Sequence, residues 1–188
     1  AMGLGQGEIA KGLLPTVLEE GKASLVIDAD GINVLASLSH EKSPEALRCR
    51  IAFCDYPGGI ILTPHLKEME RLSDVKVEDI QKDLIGIAKN QADSTHIYVL
   101  KDARTIVSDG SSPTYINQSG NHGMAVGGSG DVLTGIICGF LAGGLPLAEA
   151  ARLGVYCHGL AGDEAAALKG YYGLKARDIA EYLGKVIH

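Results

Sequence analysis

The chain has no surplus of basic residues, no paired cysteines and no long uninterrupted apolar run, and each shortage excludes a class of function. Its 188 residues carry 17 Lys and Arg against 23 Asp and Glu, a net charge of −6. So acidic a chain is poorly suited to neutralise a phosphate polymer, and no nucleic-acid partner is expected. A small anion is another matter, because backbone N–H groups hold phosphate without Lys or Arg. The four cysteines (Cys49, Cys54, Cys138 and Cys157) form no CxxC and pair with no His at zinc-finger spacing. They read as reduced, buried thiols of a cytoplasmic protein. The longest uncharged stretch, Val132 to Ala148, is interrupted by Gly135, Gly139, Gly143, Gly144 and Pro146. It reads as buried helices, not as a membrane span. Ala1 to Gly7 has no basic n-region, so no signal peptide is expected.

What is there is a globular composition, 46% hydrophobic and 21% charged. The length suits one domain spanning residues 1–188. The 25 glycines follow no collagen period, so they serve turns or close backbone approach. Apolar runs predict buried strands over Ala23–Ile27, Gly59–Thr63 and His96–Leu100. Thr105–Ser108 and Thr114–Ile116 predict a hairpin or meander at a sheet edge. Helical spacing predicts helices over Glu8–Glu20, Leu66–Leu72, Val77–Ala92, Ser129–Ala142, Leu147–Leu168 and Ala176–Ile187. Strands alternating with helices are the grammar of an open α/β sheet. In such sheets ligands bind beyond the carboxyl ends of the strands, which singles out Asp28, Asp30, Thr63, His65 and Lys101.

The richest stretch is Asn121–His122–Gly123–Met124–Ala125–Val126–Gly127–Gly128–Ser129–Gly130–Asp131, which leads into an apolar helix. Uncovered backbone N–H groups at a helix start form an anion hole suited to phosphate. The stretch is not a P-loop, because Ser129 stands where Lys is required, and not a dinucleotide fingerprint, because Leu133 takes the third Gly position. Asp131 is either a base for an attacking hydroxyl or an acid favoured by the helix dipole. Asp28 and Asp30 suit Mg²⁺ or ribose, or Asp30 a helix N-cap. His65 and Glu68, one helical turn apart, can face one cleft. Lys101–Asp102–Ala103–Arg104–Thr105 is either a nucleotide-binding turn or a solvated one.

Val26–Asn33, Leu62–Thr63–Pro64–His65 with Glu68, Lys101–Thr105 and Asn121–Asp131 occur in one order. That set resembles the ADP- or ATP-dependent NAD(P)H-hydrate dehydratases, over Ala1 to about Ile187. The resemblance implies a ribokinase-like α/β fold, a three-layer α/β/α sandwich with a mostly parallel sheet. It also implies metabolite repair: phosphorylation of the ring hydroxyl of hydrated NADH or NADPH, then loss of phosphate. By the same resemblance Asp131 is the base and also contacts substrate, with His65 and Gly5. Asn121, Gly123, Met124, Gly127, Gly128, Ser129 and Gly130 bind the nucleotide with Lys101 to Thr105, and Glu68 organises Mg²⁺ through water. The family's Gly-Pro-Gly-Leu-Gly stretch appears as Ala1–Met2–Gly3–Leu4–Gly5, without the further chain that members carry before it. On this expectation the domain is N-terminally truncated, or else oligomerisation covers the exposed sheet edge, and a homo-oligomer is expected. Asp102 stands for a usual Gly and Val126 for a small hydroxyl residue. The alternatives are a small-molecule kinase of the same superfamily and a non-catalytic nucleotide-binding module.

Overall fold

The computed structural model describes residue 5 and residues 7–111 and 113–187. Three short strands, β1 (Leu25–Ile27), β2 (Ile60–Leu62) and β3 (His96–Leu100), pair in parallel. β4 (Ile106–Ser108) and β5 (Tyr115–Ile116) continue the sheet antiparallel, in the order β1-β2-β3-β4-β5. Every residue of β2, β3 and β4 is buried, as continuous apolar runs require when helices cover both faces.

Alternate residues divide the core. Ile60, Leu62, Tyr98 and Leu100 join a cluster with the helices of one face. Those helices are α1 (Glu8–Glu20), α2 (Asp30–His40), α3 (Pro44–Cys54), α4 (Leu66–Ser73), α5 (Val77–Ile80) and α6 (Leu84–Gln91). Ile61, Ile97, Val99 and Val107 pack on the other face against Leu133 and Ile137 of α7 (Ser129–Ala142) and Ala151 and Val155 of α8 (Leu147–Lys169). The last helix, α9 (Ala176–Tyr182), packs Ile179 against Ala161 and Ala165 of α8. The result is three layers, α/β/α.

The expected Val77–Ala92 helix is two helices. Asp83 caps the second by accepting the Gly86 N–H at 2.8 Å, which breaks the first at Ile80. The expected helix from Ala176 ends at Tyr182 and continues as a 3₁₀ turn, Leu183–Lys185. All four cysteines are free, but only Cys49 and Cys157 are buried; Cys54 and Cys138 are exposed. Among the described residues no helix is long and apolar enough to cross a membrane.

Candidate functional site

β1, β2 and β3 end side by side, so the residues that follow them share one edge of the sheet. Asp28 leaves β1 buried at 2% exposure. Its Oδ1 lies 2.7 Å from Lys101 Nζ, which follows β3, and its Oδ2 accepts from Thr134 Oγ1 of α7 at 3.1 Å. Burial alone would push the Asp28 pKa up. The Lys101 charge and hydrogen bonds from Lys101 and Thr134 override it and hold the carboxyl below its usual range. The buried Thr63 hydroxyl beside it, which has no closer partner among the described residues, adds to this.

Between β2 and β3 the register continues past the strands. Lys101 N donates to Pro64 O at 2.8 Å, and His65 bridges Lys101 in parallel. The His65 ring is half exposed and caps α4: Nδ1 accepts the Lys67 and Glu68 N–H groups, and Glu68 Oε2 accepts the His65 N–H at 2.8 Å. Glu68 is therefore buried and engaged in a capping box. Asp30 does not cap α2. Ala29 holds the N-cap position, and Asp30 Oδ2 accepts the Gly5 N–H at 2.9 Å. Of the Ala1–Gly5 stretch, only Gly5 lies within the described residues.

The glycine loop closes the site from the other layer. Gly128, at φ +89°, is the N-cap of α7 and offers no side chain to the helix start. Gly130 lies against the ion pair, since a Cβ there would sit 3.5 Å from Lys101 Nζ and 3.8 Å from Asp28 Oδ2. An uncapped helix N-terminus thus stands beside an ammonium, and Asp131 projects from the first turn, exposed. Asn121 Oδ1 accepts the Gly123 N–H at 3.0 Å and caps a 3₁₀ turn, His122–Met124. Asp102, Ala103 and Arg104 are exposed, and Arg104 donates to Gln118 O at 3.0 Å, tying that turn to the segment after β5. Lys101, the glycine loop, Asp28 and His65 therefore meet at one end of the sheet.

Sequence reasoning passed over His158, Asp163, Tyr171 and Tyr172. Asp163 Oδ2 accepts the Gly120 N–H, and Oδ1 accepts Asn121 Nδ2, both at 2.8 Å. His158 Nε2 sits 3.0 Å from Ser129 O, and burial followed by the Lys101 charge pushes its pKa down to about 4 despite that hydrogen bond. The His122 and Tyr171 rings lie 4.5 Å apart at 40°, with Tyr172 beyond, fully exposed. None of these had a local signal, because each partner comes from a different element. A cavity of about 500 Å³ bordered by Lys11, Thr16, Glu41 and Arg48 lies among α1, α2 and α3, away from the strand ends. Two of its cations are already matched, Lys11 with Glu41 and Arg48 with Glu19.

The model of the family described as NAD(P)H-hydrate dehydratase matches residues 1–185. The bifunctional NAD(P)H-hydrate repair enzyme Nnr of Moorella thermoacetica is 40% identical over 181 residues, 96% of this chain and 31% of that protein. The ADP-dependent (S)-NAD(P)H-hydrate dehydratase of Neisseria meningitidis is 40% identical over 163 residues, 86% of this chain and 52% of its own. Among solved structures, the Bacillus subtilis ADP/ATP-dependent NAD(P)H-hydrate dehydratase co-crystallised with ATP/Mg²⁺ superposes with a TM-score of 0.80 at 28% identity. It is matched over 98% of this chain and 61% of that one. A ribokinase-like superfamily protein of Enterococcus faecalis gives 0.77 at 29%, with coverages of 98% and 61%. The chain thus spans between 31% and 61% of the length of these relatives. With its ribokinase-like layers and its glycine loop set over the strand ends, the chain belongs to the NAD(P)H-hydrate dehydratase family.

Proposed function

We propose that this chain carries out the nucleotide-dependent dehydration of hydrated NADH or NADPH. One observation carries the reading: α7 starts at an uncapped glycine beside the Lys101 ammonium, with a solvent-facing carboxylate, Asp131, in its first turn. Phosphoryl transfer asks mainly for positioning and for stabilisation of charge on the moving group. The N–H groups at Gly128 and Gly130, with Lys101, supply that stabilisation; the Ser129 N–H is held by Val126 O at 3.2 Å, so Ser129 reaches the group through its hydroxyl. Asp131 accepts the proton of the ring hydroxyl as its oxygen bonds to the terminal phosphorus of ADP or ATP, and the shortened nucleotide leaves. Phosphate then departs with the C–O electron pair and the adjacent carbon loses a proton, restoring the dihydronicotinamide. His65 and Gly5 face the substrate. Asn121, Gly123, Met124, Gly127 and the 101–105 turn line the nucleotide side, where the His122–Tyr171–Tyr172 rings offer a flat face to a base.

Among the described residues no group of three or more His, Cys, Asp or Glu side chains converges to hold a metal alone. A Mg²⁺ carried by nucleotide phosphates needs no such cage, since it keeps several waters. Glu68, with its carboxylate engaged by His65, would hold such an ion only through water. When bound, the ion neutralises charge on the phosphates.

The test is to incubate the chain with hydrated NADH, ADP and Mg²⁺ and follow the absorbance of regenerated dihydronicotinamide. Turnover is expected, and Asp131→Asn is expected to lower it by about 10²–10⁴-fold. A variant equal to the parent overturns the assignment of Asp131. Calorimetric binding of ADP with no product overturns the dehydration reading in favour of a nucleotide-binding module without turnover. We further propose one domain, a cytoplasmic location, where free thiols persist, and association of the chain with itself. Self-association is supported by an apolar groove between α7 and α9, lined by Val132, Gly135, Ile136, Gly139, Phe140 and Leu183, and by the sheet edge at β1.

A further inference from the structure

We propose that His158 and Asp163 on α8 are positioning residues that clamp the glycine loop at both ends and so aim the N–H groups at the start of α7. The inference rests on the reading of Gly128–Ser129–Gly130 as the phosphoryl site. At the far end of the loop, His158 Nε2 lies 3.0 Å from Ser129 O and 3.3 Å from Ser129 Oγ. At the near end, the two oxygens of Asp163 accept from Gly120 N and Asn121 Nδ2, each at 2.8 Å. Between the anchors α8 presents bare backbone. A Cβ at Gly159 would lie 2.1 Å from Ser119 Oγ, and one at Gly162 would lie 2.3 Å from Met124 Sδ. The loop therefore rests directly on the helix, pinned by one polar side chain on each side of the contact.

The grip at Ser129 matters because of peptide geometry. The Ser129 C=O and the Gly130 N–H belong to one planar peptide unit, and no cis peptide occurs among the described residues. Fixing the oxygen on His158 fixes the opposite direction of the Gly130 N–H, which faces away from α8. A carbonyl can only accept, so the ring must donate through Nε2 and be neutral or doubly protonated. Burial of the ring, and then the Lys101 ammonium nearby, disfavour the second form. Neither His158 nor Asp163 needs to touch the phosphoryl group. Each acts through Ser129, Gly120 or Asn121, and a misplacement of about 1 Å in such a site costs on the order of 10²-fold in rate.

The experiment compares the full chain with His158→Gln, which keeps an N–H donor at similar reach, and His158→Leu, which removes it. Asp163→Leu tests the other anchor. Turnover is measured with hydrated NADH, ADP and Mg²⁺, and amide hydrogen exchange is measured with and without ADP. His158→Leu is expected to lose about 30- to 100-fold in kcat with KM for hydrated NADH within about two-fold. His158→Gln is expected to stay within about five-fold of the parent. Exchange is expected to quicken at residues 127–131 in His158→Leu, and at 120–123 in Asp163→Leu, with strand amides unchanged. The proposal is overturned if Gln fails as badly as Leu, if the loss falls on KM alone, or if loop exchange is the same in all proteins. If the parent turns nothing over, the dehydratase reading fails by itself. The clamp is then decided by whether ADP slows exchange at residues 127–131 in the parent and in His158→Gln but not in His158→Leu.

Discussion

Asp28 keeps a charge where water scarcely reaches, and Lys101 and Thr134 are what make that tolerable. Asp28→Asn leaves the ammonium without its counter-charge and is expected to cost about 3 kcal/mol in urea unfolding. Because the folded pKa is lowered below 3.8, the stabilisation is complete above that value and is lost as pH falls through the folded one. The variant should therefore show a flatter acid limb. His158 adds a second slope at higher pH. Its folded pKa of about 4 lies below the ordinary 6.5, so between those values the unfolded chain binds the extra proton. Stability should fall as pH drops from about 6.5 towards 4, and His158→Gln should remove that component; midpoints of thermal unfolding across this range check it. Ala29 sits at φ +48°, ψ −115°, a conformation costly for a side chain, where the chain turns Asp28 inward and Asp30 outward. Ala29→Gly is expected to stabilise by about 1 kcal/mol, read from the same unfolding curves.

At the scale of elements, glycines on neighbouring helices do opposite things. Gly159 is buried at a contact where a Cβ would meet Ser119 at 2.1 Å, whereas Gly135 and Gly139 of α7 face open space. Gly159→Ala should cost about 2 kcal/mol. Gly135→Ala and Gly139→Ala should each gain about 0.5–1 kcal/mol in dilute solution, as helix propensity requires. Which helices could be read in advance follows the same physics. α1 and α7 have the expected bounds because each carries an apolar stripe or run with a clear start. α3 was missed, and α2 was foreseen only as a candidate helix start at Asp30. Asp30–Asn33 drew attention as ligands, and α3 buries only Ala46 and Cys49 while Leu47 and Ile51 face solvent. Its one usable cue was Ser43–Pro44, an N-cap followed by proline, and the Ser43 side chain does accept the Ala46 N–H.

For the whole molecule, α7 matters twice. Its first turn faces the strand ends, and its face at positions 132, 135, 136, 139 and 140 lines an apolar groove against α9. That stretch was expected to be buried; Gly135, Cys138 and Gly139 are exposed. Sedimentation velocity across a concentration series should show self-association, and Phe140→Glu should shift the protein towards monomer. A single species unchanged by concentration and by the substitution would remove the proposed oligomer.

Residues adjacent in the chain were enough to determine the strands, most helices, and the order of the motifs at the strand ends, because periodicity, caps and glycine runs are local. Asp28 with Lys101, 73 residues on, and Ser129 with His158, 29 residues on, were decided only by folding. Such pairs form when separate strands and helices stack, and no spacing along the chain records which side chains the layers bring face to face.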